Sequence, residues 1–220
     1  MKVDQPEQAI DEGLYSRQLY VLGHDAMKRM AASNVLVVGL RGLGAEIAKN
    51  VALAGVKSIT IFDPTPVSIS DLSTQFFLRP EDVSSGARRD HATQPRLAEL
   101  NTYVPIRVLE ESELTKDVLS RFQVVVMTDA LYDEQLRIND ITHGSSTHFI
   151  SAEVRGLFGS VFNDFGPNFL CNDPTGEQPL SGMIVSIASE DGEGLVTTLD
   201  ETRHGLEDGD YVSFTEVQGM

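Results

Sequence analysis

The stretch NVLVVGLRGLGAEIAKNVALAGVKSITIFD, residues 34–63, decides the fold of this 220-residue chain. It opens with a short, β-branched apolar run, which is typical of a buried parallel strand, and a glycine cluster follows. Apolar side chains then recur every four residues, which predicts a helix that ends at Gly55. A second apolar run, residues 58–62, ends at Asp63. This order of strand, glycine-rich turn, helix and strand predicts a βαβ unit.

The alternation of strands and helices extends on both sides of this unit. Upstream, two short helices, 14–22 and 25–32, are predicted on either side of Gly23. Downstream, Pro95 is suited to open a helix because proline is tolerated in the first helical turn. The further predicted elements are helices at 95–101, 115–122 and 134–143, and strands at 106–109, 124–127, 148–153 and 157–165. Together they predict a doubly wound α/β domain with a late antiparallel addition.

Past residue 172 the pattern changes to short strands separated by turns, with no helical repeat. Strands are predicted at 183–187, 195–199 and 211–214. Three short strands make a thin core, so this β module is expected to be incomplete at its end. The predicted domains are therefore a tail at 1–13, the α/β domain at 14–172 and the start of a β-rich module at 173–220.

Composition limits the classes of function. The formal net charge is -16 and there is one cysteine. So acidic a chain is not expected to bind nucleic acid through its phosphates. No apolar run is long enough to span a bilayer, and the polar, acidic start lacks the features of a signal peptide. With a single cysteine, no internal disulfide can form, so a cytoplasmic and nuclear location is expected.

The glycine cluster departs from a dinucleotide-binding turn at one position. The pattern G-x-G-x-x-G requires glycines at 39, 41 and 44, but residue 41 is Arg41. A side chain there is expected to intrude where a pyrophosphate would lie, while Asp63 stands where an acidic residue receives ribose hydroxyls. We therefore expect Gly39, Gly42 and Gly44 to serve a tight turn and close helix packing. An anion held from the side by Arg41 remains the alternative.

Several separate motifs, in the right order, resemble the ubiquitin-activating enzyme family. They cover nearly the whole chain after the tail. They are YSRQLYVLG at 15–23, GLGAEIAKN at 42–50, QPRLAELN at 94–101, RGLFG at 155–159 and the segment 200–214, which is similar to the first catalytic-cysteine half-domain. The resemblance implies a ThiF/MoeB-type adenylation domain joined to the start of that half-domain.

In that family two related adenylation domains pair, and only one of them binds ATP and the modifier's C-terminal glycine. The resemblance implies that this chain is the inactive one. Ser73 and Thr74 stand where the active domain carries an asparagine and an arginine, and its following lysine has no clear counterpart among residues 87–90. Asp129 stands where the active domain has an aspartate near magnesium. Its predicted role here is that of a retained strand-end residue. ATP and Mg are thus expected in the partner half and not in this chain.

The resemblance gives one residue a chemical role. Arg17 matches an arginine that the inactive half lends across the interface to the partner's ATP, where a guanidinium can neutralise phosphate charge. Without the resemblance, an ordinary surface ion pair would be the better interpretation. The implied partners are the active adenylation domain, ubiquitin and, through the full enzyme, ubiquitin-conjugating enzymes.

Three other functions each require a feature that the sequence lacks or exclude one that it has. A homodimeric adenylyltransferase of the MoeB/ThiF kind would need an intact phosphate turn, and a nicotinamide-dependent oxidoreductase would need the middle glycine. The small subunit of the SUMO-activating enzyme would lack the β module. Cys171 is expected to be a filler or an exposed thiol, and the five histidines lack zinc-ligand spacing.

Overall fold

The computed structural model describes residues 11–171, 176, 180–199 and 204–218. The chain separates into two compact units, Met1–Phe169 and Leu170–Met220. The predicted boundary between 172 and 173 lies outside the described residues, as do most of the predicted tail and part of the segment 200–214.

The first unit is built on a six-stranded sheet with strand order β3-β2-β1-β4-β5-β6. Strands β1 to β5 are parallel to their neighbours, and β6 is antiparallel to β5. This confirms the doubly wound α/β prediction and its late antiparallel strand. The strands are β1 Asn34–Val38, β2 Ser58–Phe62, β3 Ile106–Val108, β4 Val124–Thr128, β5 His148–Arg155 and β6 Phe158–Asp164.

Helices cover both faces of this sheet. Because side chains alternate along a strand, Val35 and Val37 face a core under the helices at 42–54 and 89–98, whereas Leu36 faces a second core under the helices at 116–119 and 132–143. All three side chains are at most 5% exposed. The helices are α1 Glu12–Ala31, α2 Gly42–Ala54, α3 Pro80–Ser84, α4 Arg89–Ala98, α5 Lys116–Leu119 and α6 Tyr132–His143, with a short 3-10 helix at Ile69–Ser73.

The predicted break in the first helix is confirmed. Helix α1 is kinked at Gly23, whose backbone angles are φ 76° and ψ 167°. Only glycine adopts such angles without strain, so the two arms of the helix meet at a residue that has no side chain. Gly55 ends α2, as predicted, in the left-handed conformation with φ 82°.

The prediction that Pro95 opens a helix is wrong. Helix α4 begins six residues earlier, at Arg89, and Pro95 lies inside it. Ion pairs of the buried Arg89 and Asp90 fix the first turn. The hydrogen bond that Pro95 cannot donate falls on the carbonyl of His91, an exposed residue, so water can satisfy it.

In the second unit, the strands are β7 Ile184–Glu190 and β8 Glu193–Thr198, which form an antiparallel pair. Asp191 and Gly192 join them with φ 51° and 86°, the left-handed pair that an Asp-Gly hairpin turn requires. The predicted strand at 211–214 is wrong, because the described residues 204–218 contain no strand. Tyr211 is fully exposed there. No helix in the described ranges is long and apolar enough to cross a membrane.

Candidate functional site

The glycine turn joins β1 to α2 at the carboxyl end of the sheet, where open α/β folds bind their ligands. Gly39 has φ 85° and its backbone N–H donates to the carbonyl of Phe62 at 2.9 Å. Arg41 is the N-cap residue of α2, and its side chain makes no capping hydrogen bond. The turn therefore has the chain path expected of a nucleotide-binding scaffold.

Contacts within the chain account for each glycine of the turn. A Cβ on Gly39 would overlap the carbonyl oxygen of Thr128, and one on Gly44 would overlap the carbonyl oxygen of Gly39. A Cβ on Gly42 would lie 3.0 Å from Cβ of Thr74. The turn thus needs glycine for its own packing against β4 and the segment that carries Thr74, whether or not a ligand binds.

The carboxylate of Asp63 is already engaged by its own chain. Its Oδ2 accepts the backbone N–H of Leu40 at 2.9 Å, and its Oδ1 accepts that of Thr65 at 3.1 Å. Nη1 of Arg89 donates to both oxygens at 3.2 Å. Asp63 is 6% exposed. A ribose hydroxyl would therefore have to displace one of these donors.

Arg89 links Asp63 to a second buried carboxylate. Its Nε donates to Oδ2 of Asp71 at 2.9 Å, and Asp71 also accepts the backbone N–H of Ser68 at 2.8 Å. Burial raises the pKa of Asp71, but the Ser68 N–H and the Arg89 guanidinium outweigh it and hold the pKa below its ordinary value. The same two carboxylates raise the pKa of Arg89, against the opposing effect of its burial. We call Asp63, Arg89 and Asp71 the buried ion triad.

A further ion pair, between Arg88 and Asp90, is hydrogen-bonded to this triad through the backbone of Asp63. Asp90 is fully buried, and its carboxylate receives Nη2 of Arg88 at 2.6 Å and Nε of Arg88 at 3.0 Å. It also accepts the backbone N–H of Asp63 at 3.0 Å. The end of β2 is thus bonded to the first turn of α4 through both side chain and backbone.

Two charged residues stand at the outer side of the turn. Nε of Arg41 lies 3.9 Å from Oδ1 of Asp71, and its side chain is 58% exposed. Asp129 follows β4 with φ 55°, an uncommon angle for a residue with a side chain. Partial burial of its carboxyl group raises the pKa of Asp129, and the nearby positive charge of Arg41 opposes that rise. The residue as a whole is nevertheless exposed.

These residues do not leave an open site that would fit a bound Mg-nucleotide. The ribose-directed carboxylate is saturated, and Arg89 fills the space between Asp63 and Asp71. Among the residues that the structure describes, no group of three or more His, Cys, Asp or Glu side chains is placed to hold a metal ion. A cavity of about 480 Å³ does open at the carboxyl ends of β1, β2 and β4, lined by Val38, Phe62, Met127, Glu134, Arg137 and others.

Arg17 lies apart from this site. It is an exposed residue in the first arm of α1, and its guanidinium makes no ion pair with any residue of the described ranges. Gly39, Arg41, Gly42, Gly44 and Asp63 do come together.

Sequence reasoning missed the buried ion triad. Thr74 is brought beside the turn, against Gly42, as its place in the motif suggests. Arg89 belongs to the stretch 87–90, in which the resemblance finds no clear counterpart of the active domain's lysine, so the sequence alone gives it no role. No local signal could have found it, because a buried arginine requires carboxylate partners and those of Arg89 lie 18 and 26 positions away in the sequence.

The chain matches two known protein families and is similar in sequence to known proteins. The ThiF family model matches residues 15–189, and the model of the ubiquitin-activating enzyme E1 FCCH domain matches residues 191–220. The chain is 57% identical over its whole length to ubiquitin-activating enzyme E1 1 of Schizosaccharomyces pombe and 55% identical over 97% of its length to ubiquitin-like modifier-activating enzyme 1 of Homo sapiens. It spans 21% and 20% of those proteins, about a fifth of each.

The fold also has a solved counterpart. A crystal structure of Escherichia coli MccB with succinimide superimposes with a TM-score of 0.55 at 17% identity, covering 64% of this chain and 44% of that one. At that identity the likeness concerns the fold alone.

Proposed function

Because the chain belongs to the ThiF family, we propose that it is the non-catalytic adenylation half of a ubiquitin-activating enzyme. It pairs with an active adenylation half that binds ATP and Mg, and it lends Arg17 to the ATP while the C-terminus of ubiquitin is adenylated. On its own it is inactive. The completed enzyme passes ubiquitin to ubiquitin-conjugating enzymes and works in the cytoplasm and nucleus.

The observation that carries this proposal is the closure of the chain's own nucleotide site. Asp63, the residue that would receive a ribose, is 6% exposed and bonded to Leu40, Thr65 and Arg89. A half that cannot offer this carboxylate is suited to assist a partner's chemistry and not to perform it. The saturated carboxylate also weighs against an autonomous homodimeric adenylyltransferase.

The role of Arg17 is supported by what surrounds it. It is exposed, it has no carboxylate partner in the described ranges, and Tyr20 and Val21 in the same arm are 89% and 75% exposed. An unpaired guanidinium beside apolar side chains is suited to an interface in which it meets an anion of the partner. Phosphate oxygens present that anion, and an arginine supplied from outside the site stabilises their charge.

Pairing is supported by a second apolar surface, the hairpin surface, on β5 and β6. It consists of Phe158 and Phe162, which lie on one face of the hairpin and are 79% and 54% exposed, and of Leu157 in the turn, which is fully exposed. Val154 and Val161 lie on the opposite face and are 56% and 69% exposed. Strand β6 is the edge of the sheet, and an apolar edge strand left uncovered is a site for association or aggregation. We assign this surface to contact with the active half.

The match of residues 191–220 to the E1 FCCH domain favours the single-chain ubiquitin form over the small subunit of the SUMO-activating enzyme. The test is ATP–pyrophosphate exchange by a polypeptide that carries this chain together with an active adenylation half. Arg17→Ala should lower exchange at least tenfold, because an arginine that stabilises phosphoryl charge in trans is worth that much or more. Arg29→Ala is the matched control, since Arg29 is also an exposed, unpaired arginine of α1 within the described ranges. Equal activity of the two variants would reject the role of Arg17.

The inactivity of the chain alone has a separate test. Titration calorimetry of the isolated chain with Mg-ATP should show no binding at micromolar concentration, whereas the active half should bind. Micromolar binding by this chain would favour the autonomous adenylyltransferase instead.

A further inference from the structure

Tyr15 is the buried residue at the start of the helix that carries Arg17. It lies two positions before Arg17 and is 9% exposed, whereas Leu14, Ser16 and Arg17 are all exposed. Its backbone departs from helical angles, with φ -103° and ψ 16°. The first arm of α1 is therefore attached to the domain two residues before Arg17.

Asn101 holds the hydroxyl of Tyr15. Its Nδ2 donates to Oη of Tyr15 at 2.9 Å and to the carbonyl of Ala52 at 2.9 Å, while its Oδ1 accepts the N–H of Tyr103 at 3.0 Å. Asn101 is 7% exposed. A flipped amide would set its oxygen against the carbonyl of Ala52, so these bonds fix its orientation and with it the place of the Tyr15 hydroxyl.

The ring of Tyr15 is fixed by shape as well. A Cβ on Gly55 would lie 2.6 Å from Cζ of Tyr15, so the ring rests directly on the glycine that ends α2. Nε2 of Gln18 donates to the carbonyl of Leu53 at 3.4 Å. Carbonyls in the last turn of a helix lack partners within that helix. The end of α2 is thus satisfied partly by α1 and Asn101, which couples the positions of the two helices.

We propose that Tyr15 and Asn101, together with Gln18, are positioning residues for Arg17. By locking the rotation of the first arm of α1 against the end of α2, they direct the guanidinium outward toward the partner's nucleotide. This inference rests on the proposed function of Arg17. A group that must meet phosphate oxygens loses much of its effect when it is displaced by an ångström, so fixing the arm contributes to the rate.

The test is a double-mutant cycle in the polypeptide that carries both adenylation halves. Tyr15→Phe keeps the ring on Gly55 and removes only the hydroxyl. We expect it to lower the turnover number of ATP–pyrophosphate exchange about fivefold when Arg17 is present, with little change in the KM for ATP. In the Arg17→Ala background the same change should cost less than about twofold, because the group being positioned is gone.

Tyr103→Phe is the control, since it removes the same hydroxyl from a tyrosine that is 63% exposed. Equal losses from Tyr15→Phe in both backgrounds, or no loss in either, would overturn the positioning role and leave Arg17 in place. Full activity of Arg17→Ala alone would overturn both proposals.

A second variant keeps the test open if Tyr15→Phe folds poorly. Gln18→Ala removes the bond to Leu53 from a half-buried side chain and leaves the buried contacts intact. It should lower turnover with Arg17 present and not with alanine at 17. A thermal midpoint that matches the parent protein excludes loss of folded enzyme as the cause, and a loss that does not depend on Arg17 would again reject the positioning role.

Discussion

Arg89 donates to both carboxylate oxygens of Asp63 at 3.2 Å, at the end of β2 where a nucleotide-binding domain presents its ribose-binding carboxylate. The two residues are 5% and 6% exposed, respectively. The cation that closes the site is therefore part of the domain's own interior, and its loss should affect folding before it affects any ligand.

Replacing Arg89 by alanine should strongly destabilise the first unit. It would leave Asp63 and Asp71 as buried carboxylates without their counter-ion, and breaking a buried pair from one side costs about 3–5 kcal/mol. Urea unfolding followed by circular dichroism would measure the loss. Arg121→Ala is the control, because the Arg121–Glu111 pair is exposed to solvent, and it should leave the midpoint unchanged. A small effect of Arg89→Ala would mean that water or another cation reaches the triad.

Stability should fall in acid because of Asp71. Its folded-state pKa lies below its ordinary value, so its contribution is complete above the unfolded-state pKa, about 4, and is lost as the pH falls through the folded-state value. We expect the difference in the free energy of unfolding between the parent and Asp71→Asn to be largest near neutral pH. It should shrink steadily below pH ~4. A difference that grows toward acid would contradict the assigned direction.

Gly44→Ala should prevent the turn from forming. The added Cβ would overlap the carbonyl oxygen of Gly39, a backbone atom that cannot move aside without disrupting β1. We expect low solubility or a large loss of thermal stability. Gly144→Ala is the matched control, because Gly144 has φ -85° and nothing within 4 Å of its added Cβ. Gly42→Ala should fall between them, since it only crowds the side chain and carbonyl of Thr74.

Charging the hairpin surface should weaken pairing with the active half without unfolding this one. Phe158 is 79% exposed, so Phe158→Asp costs little in the isolated chain but would bury a charge at the proposed interface. Analytical ultracentrifugation of the two halves should show loss of the complex. Leu131→Asp, at a residue 82% exposed in another part of the sequence, should pair normally. Equal pairing by both variants would remove the hairpin surface from the interface.

Local signals predicted most of the fold, because periodic apolar residues and turn glycines act within a few positions. The helix break at Gly23 and the helix end at Gly55 are both confirmed predictions of this kind. Pro95 was misread because its preference for a first turn is weak compared with buried ion pairs at Arg89.

Local signals could not predict the buried ion triad, because its residues lie far apart in the sequence. Arg89 meets Asp63 across 26 positions and Asp71 across 18, and only the three-dimensional path of the chain brings them together. Nothing in the local pattern around residues 84–93 distinguishes a buried arginine from a solvated one. The prediction of a strand at 211–214 is wrong because a strand needs a neighbouring strand for its backbone hydrogen bonds. The residues of one segment cannot reveal whether such a neighbour is present.

The kink at Gly23 sets how a docking event at one end of α1 is felt by the rest of the protein. A continuous helix would act as a lever, and any tilt forced on the arm that carries Arg17 would pull directly on β1 through the second arm. Because Gly23 interrupts the helix, a displacement of one arm need not be transmitted along α1 to the other arm. A partner that docks on the arginine-bearing arm therefore acts on the domain through Tyr15 and the end of α2, and not along α1 to the start of β1.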